Sequence, residues 1–304
     1  MDATGGDIGL ILERIRLLDP QTVRTILIWA ILILLSADLL LFLITLVHRV
    51  VVDYRDRRYR RAYEKFTDQL IMAMYYGEAI DRPKGSVELE ALGDVCIEIS
   101  RKFKGEEGEF ARKIARDYGV VDYYVKKTKS FFLATRVVYY EKLGYLKIFP
   151  IKKELEVEIE RTEAEWAIAR MSYAYSLLIE RVEEIDVVLH NLSRCSSVSF
   201  KFIEFVWYNI IAIFRERFFE LDEYIRAYLI SDSEKAIFLR AFIEAVGSYK
   251  LLEASELIMK VYEEYRDDTL MRISCVRALG NIGYGGFCQI FEENIKHEDW
   301  RVRA

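Results

Sequence analysis

Hydrophobic positions follow two patterns along this chain. From Ile26 to Val47 they form an unbroken apolar run with a single charge, Asp38. A helix of that length, rising about 1.5 Å per residue, extends about 33 Å, which matches a bilayer core of about 30 Å. Trp29 sits near one end, where an interfacial aromatic is expected. The run is too long for a signal-peptide core and no basic stretch precedes it, so it predicts an uncleaved transmembrane anchor. Before it, Ile8, Ile11, Leu12, Ile15 and Leu18 fall at helical spacing and predict a helix lying on the membrane interface.

Beyond the anchor the apolar positions recur every three to four residues between charged ones, the signature of amphipathic helices. These helices repeat. "YYEKLGYL", "YAYSLLIE", "YNIIAIFR", "FIEAVGSY" and "VRALGNIG" align on Gly144, Leu178, Ala212, Gly247 and Gly280, at spacings of 34, 34, 35 and 33. A second helix follows each anchor. Its markers Leu155, Leu189, Tyr224, Ile258 and Phe291 are spaced by 34, 35, 34 and 33. A helix pair that cannot bury its own apolar face must stack on its neighbours.

The last units resemble HEAT repeats. In "LMRISCVRALGNIGYGGFCQIFEENIKHEDWRVRA" an acidic residue and an Arg open the first helix, as Asp268 with Arg272 and Asp299 with Arg303. "ALGNIG" then closes it before an apolar second helix. The match is specific over 265–304 and weakens back to about 130. The tetratricopeptide period is also 34, but that family's Trp–Leu-Gly–Tyr and late Pro positions are absent. The resemblance implies a curved α-solenoid that serves as a protein-binding scaffold, with Arg272 and Arg303 joining neighbouring repeats.

The expected fold is therefore all-α, one N-terminal transmembrane helix followed by a HEAT-like solenoid of stacked helix pairs. Residues 1–25 form an extracytoplasmic segment and 26–52 the anchor. Residues 53–129 form a basic juxtamembrane stretch and an irregular helical cap, and 130–304 the repeats. Within the cap, 106–129 reads as one helix, and "DRPKG" and "KGEEG" read as turns. "HEDWRVRA" looks like the first turn of a new repeat, so more repeats are expected to follow.

Charge sets the orientation. Residues 49–65 carry seven basic side chains, Arg49, Arg55, Arg57, Arg58, Arg60, Arg61 and Lys65, against three in 1–25. The positive-inside rule places the C-terminal side in the cytoplasm and the N-terminus outside a plasma membrane. Interleaved with Tyr54, Tyr59 and Tyr63, these residues also suit an anionic inner leaflet. Asp38 is costly at mid-bilayer, about 2.5–3.5 kcal/mol on insertion scales. It predicts a polar contact with a second transmembrane helix, supported by nearby Ser36.

The sequence shows no catalytic constellation. His48, His190 and His297 lie far apart, and no metal-ligand spacing, G-x-S-x-G or phosphate loop occurs. No cofactor is implied. Cys96, Cys195, Cys275 and Cys288 lack C-x-x-C spacing and read as buried free thiols. Residues 66–304 carry a net charge of −7, which argues against nucleic acid. The second helices should line a mixed-charge groove for a protein partner, with Lys152, Lys153, Glu156, His190, Glu223, Glu256 and Lys260 pointing away from the core. The expected function is a membrane-anchored scaffold, an accessory subunit of a membrane complex. A lyase or isomerase like the HEAT-like bilin lyases, an accessory role in cell-surface polysaccharide synthesis, and self-assembly through Asp38 are the alternatives.

Overall fold

The computed structural model describes residues 19–103, 105–230, 232–283, 285–297 and 299–303. The side chains of Val23 and Ser233 are outside that description, and so is the expected interfacial helix before residue 19. Every regular element among the described residues is helical. The chain divides into two compact units, Met1–Lys65 and Phe66–Ala304.

The first unit consists of the long helix α1 (Pro20–Tyr76) up to Lys65. Pro20 opens it, a position where a missing N–H costs nothing. Between Ile26 and Val47 every side chain is exposed. By length and composition this stretch suffices to cross a membrane. α1 runs unbroken across the 52/53 division between the apolar run and the basic juxtamembrane stretch. The stretch 48–76 holds no Gly or Pro to break a helix and is rich in Arg, a good helix former. The helix stops at Gly77, whose positive φ puts it in the left-handed region.

The second unit begins on the last turns of α1, where Phe66, Leu70 and Ala73 are buried on one stripe. Three helices follow: α2 (Ser86–Lys102), α3 (Glu106–Asp117) and α4 (Val120–Lys127). They pack on one another and, through α2 and α4, on the next helix. The single helix expected over 106–129 is broken into α3 and α4. Gly119, in the left-handed conformation, reverses the backbone there. The "KGEEG" turn is shorter than expected, because Glu106 already lies in α3.

Helix pairs then succeed one another. The first members are α5 (Leu133–Tyr145), α7 (Glu165–Ser176), α9 (Phe200–Phe214), α11 (Ala236–Tyr249) and α13 (Thr269–Ile282). The second members are α6 (Lys152–Arg161), α8 (Ile185–Ser193), α10 (Phe218–Tyr228), α12 (Ser255–Glu264) and α14 (Cys288–Ile295), and the short α15 (Trp300–Arg303) follows. A 3₁₀ turn introduces each second member, at Phe149–Ile151, Val182–Glu184, Arg215–Arg217, Leu252–Ala254 and Gly285–Phe287. Each first helix packs on the next one, from α5 through α7, α9 and α11 to α13, and α13 packs on α15. The second helices lie beside them, α6 and α8 on α7, α10 on α9, and α12 on α13.

Glycine permits the closest of these approaches. A Cβ on Gly144 would lie 2.8 Å from the Ala174 carbonyl oxygen, and one on Gly247 would lie 2.6 Å from the Ala278 Cα. Gly144 and Gly247 therefore mark where one first helix meets the backbone of the next. Arg272 spans a comparable junction. Its Nε donates to Asn294 Oδ1 at 2.8 Å, and its guanidinium lies over the Tyr262 ring at 5.2 Å. Arg303 instead donates to the His297 carbonyl at 2.6 Å.

Candidate functional site

The expected groove residues occupy two different environments. Lys153, His190, Glu223, Glu256 and Lys260 are exposed. Lys152 and Glu156 are not free to meet a partner. Positions 152, 155, 156 and 159 form one stripe of α6, which Leu155 and Ile159 take fully into the core. Lys152 and Glu156 flank those side chains on the packed face, so the outward phase assigned to them is corrected. Lys152 Nζ reaches Glu184 at 3.0 Å and Glu180 at 3.4 Å. Glu156 accepts a 2.6 Å hydrogen bond from Tyr175 Oη on α7. Both therefore fasten α6 to the following unit.

Local chemistry follows from that fastening. Partial burial pushes the Glu184 carboxyl upward, but the Glu180 N–H, the Lys152 ammonium and the Arg181 N–H outweigh it. The net result is a pKa below the usual carboxylate value. Burial and the Glu156 carboxylate both raise Tyr175, whose hydroxyl stays protonated and donating.

Of these exposed residues Glu223 lines a cleft of about 420 Å³ between α8 and α10, and Lys153, His190, Glu256 and Lys260 lie outside its lining. Glu183, Asp186, Glu220 and Glu223 line it, together with Tyr224 and Tyr228. Tyr224 Oη donates to Asp186 Oδ1 at 2.7 Å, and burial with that hydrogen bond raises the phenol pKa. Tyr228 lies beside it, with ring centroids 5.3 Å apart. The arrangement presents carboxylates and one exposed aromatic ring, a surface suited to a basic segment.

A second polar cluster, absent from the sequence reading, joins α2, α4 and α5. Lys142 pairs with Glu90 and lies 2.6 Å from Asp94. Tyr139 Oη donates to Glu90 at 2.6 Å. The groups satisfy one another, so the cluster holds the helices together. Gly93 admits it: a Cβ there would fall on the Tyr124 hydroxyl.

On α1, Asp38 and all seven basic residues are exposed. Ser36 Oγ donates to the Ile33 carbonyl at 2.8 Å within its own helix. Residues two apart on a helix do not share a face. Ser36 therefore does not stand beside Asp38, and its expected support for an Asp38 contact is corrected. The basic residues lie along a continuous helix, with Asp53, Asp56 and Glu64 among them.

Three thiols are buried, at Cys96, Cys195 and Cys275, whereas Cys288 is exposed at the start of α14. Burial pushes the Cys96 thiol up to about 12 and raises Cys195 and Cys275 as well. A thiol held protonated is a poor nucleophile and a poor metal ligand. Among the described residues no group of three or more His, Cys, Asp and Glu side chains is placed to hold a metal ion. No family model matches this chain, and neither does any curated protein or solved structure.

Proposed function

We propose that this chain is a membrane-anchored scaffold. In this reading α1 crosses a plasma membrane once, with the N-terminus outside. The pairs from α5 to α14 form a HEAT-like solenoid on the cytoplasmic face and bind a protein partner there. The exposed basic residues of α1 meet the anionic inner leaflet. Residues 130–304 are the repeat region, and the helices before it cap the first unit.

One observation carries the proposal. A fully exposed apolar run long enough to span a bilayer stands in the same chain as helix pairs that each pack on the next. The apolar run has no use in water, and stacked pairs leave an extended surface for recognition. The acidic cleft between α8 and α10 favours a basic region of the partner.

The test joins topology to capture. A reporter fused after Lys65 should be cytoplasmic, and one at the N-terminus external. Affinity capture of the intact protein from membranes should recover a partner, and its recovery should fall when Glu220 and Glu223 are reversed to Lys. External labelling of the repeats would overturn the proposal. So would capture that yields only copies of this chain.

A further inference from the structure

The α4–α5 loop, residues 128–132, exposes two adjacent aromatic rings. Phe131 is 91% exposed and Phe132 69%. The loop is held in place around them. Arg136 Nη1 donates to the Ser130 carbonyl at 2.9 Å and the Phe131 carbonyl at 3.0 Å. The same guanidinium is anchored on Glu158 at 2.8 Å. The Phe132 N–H donates to Ser130 Oγ at 3.3 Å, and the two rings meet edge to face at 5.6 Å. A short, braced loop thus presents both rings outward, largely uncovered by the described residues.

The surrounding charge identifies what would cover them. From Lys126 to Arg136 the chain carries Lys126, Lys127, Lys129 and Arg136 and no acidic residue. Lys129 also lines a cleft of about 560 Å³ with Lys153, Arg161 and the half-exposed Val157. Two carboxylates face that cleft, Glu154 and Glu158, and Glu158 is already paired with Arg136. Lys126, Lys129, Lys153 and Arg161 make no ion pair among the described residues. Exposed aromatic side chains on a loop that lysines flank in sequence are the composition of a segment that seats in a lipid headgroup layer. Lysine is depleted at protein–protein interfaces, which disfavours a second copy of the chain as the occupant.

We propose that this loop is a second membrane contact, in which Phe131 and Phe132 enter the interface of an anionic bilayer while Lys126, Lys129 and Lys153 meet lipid phosphates and carboxylates. The proposal rests on the membrane-anchored reading and adds a site that holds the repeat region against the surface. It also gives Lys153 a lipid role in place of the partner groove.

The test uses the full chain in nanodiscs of equimolar phosphatidylcholine and phosphatidylserine. Phe131→p-benzoylphenylalanine is photolysed and the adducts are identified by mass spectrometry. Phe219, equally exposed as Phe132 but beside Arg217 and Glu220, is the control position. The expected result is lipid adducts at 131 well above those at 219, falling in pure phosphatidylcholine. Each Lys→Ala change at 126 or 129 should lower the yield on the order of fivefold. Adducts to a second copy of the chain, or lipid adducts no higher than at 219, would overturn the loop contact. Alkaline carbonate extraction of the same sample reads the anchor separately. A chain that resists extraction but gives no lipid adducts sinks the loop alone. A chain that is extracted yet gives them sinks the anchor alone.

Discussion

Two helices of this chain are strongly apolar, and they meet opposite fates. The 26–47 stretch of α1 leaves every side chain exposed. Helix α9 buries Ile203, Val206, Trp207, Ile210, Ile211 and Phe214. Those six residues follow the three-and-four spacing of one helical stripe, and the opposite side carries Lys201, Phe205 and Tyr208. The α1 stretch is apolar all round and has no such stripe. Helix α9, from Phe200 to Phe214, is also too short to span a bilayer. Length and distribution, rather than apolar content, decide whether a helix buries one face in the protein core or leaves its apolar surface exposed.

The largest effect should fall on α9. Trp207 is completely buried and meets Phe242 edge to face at 5.1 Å. Trp207→Ala removes that ring from the α9–α11 junction and should cost about 3–5 kcal/mol. Leu40→Ala should leave the unfolding midpoint within about 0.5 kcal/mol of the parent, since Leu40 touches no core. Urea unfolding of both variants in one detergent, followed by helical circular dichroism, makes the comparison. An equal loss in Leu40→Ala would break the contrast, because it would mean that the α1 run packs against protein.

Within the stack the same logic separates two glycines. Gly247→Ala would place a Cβ 2.6 Å from the Ala278 backbone and should cost about 1–3 kcal/mol by prising α11 from α13. Gly280 has nothing closer than 3.9 Å, at the Phe291 ring. Gly280→Ala should therefore be neutral, or stabilising by about 0.5–1 kcal/mol, because alanine favours a helix interior. Thermal melts of the two variants would distinguish them. Equal destabilisation would remove close approach as the reason for the glycine at 247.

Periodicity made the helix pairs legible, because each pair repeats the same apolar spacing and each second-helix marker from Leu155 to Ile258 is buried. The division at 52/53 between the apolar run and the basic stretch is one of composition, and α1 runs across it because no helix breaker lies there. The phase of α6 was missed at Lys152 and Glu156. Charged side chains read as solvent-facing, yet long stems can reach partners on a packed face. The Phe131–Phe132 loop carried a visible signal, two adjacent aromatics after three lysines, but apolar residues in a repeat protein read first as core. Which cleft faces a partner depends on contacts far apart in sequence, such as Tyr224 with Asp186, and spacing alone does not encode them.

A smaller effect is set by pH at the junction of α7 and α9. Glu165, in the first turn of α7, accepts from Ser197 Oγ at 2.6 Å, Ser197 N–H at 3.0 Å and Ser196 Oγ at 3.0 Å. The Ser197 hydroxyl and N–H and then the Ser196 hydroxyl hold its carboxyl at about 2, below the ordinary 4.5. A depressed carboxylate stabilises the fold above its unfolded pKa and loses that contribution as pH falls through the folded value. Glu165→Gln should therefore be less stable than the parent at neutral pH, and the two should converge between about 4.5 and about 2. A gap in urea midpoint that stays constant across that range would show that the serines do not depend on the charge of Glu165.

The smallest effect belongs to Asp38, the one charge in the apolar run. Asp38→Ala removes an insertion penalty and lengthens the apolar stretch, so membrane integration should not suffer. If Asp38 meets another transmembrane helix, the variant should insert well but assemble more weakly, by about 0.6 kcal/mol for one intramembrane polar contact. That contact must come from another chain or partner, because Ser36 is turned to a different side and bonded to Ile33. Asp38→Asn keeps hydrogen bonding and removes ionisation. Assembly retained in Asn and lost in Ala identifies a neutral hydrogen bond. Loss in both identifies a charge pair with a basic side chain. Förster transfer between labelled copies in nanodiscs, or partner recovery after capture, measures each case. Unchanged assembly in both variants would sink the contact and leave Asp38 without a role in assembly.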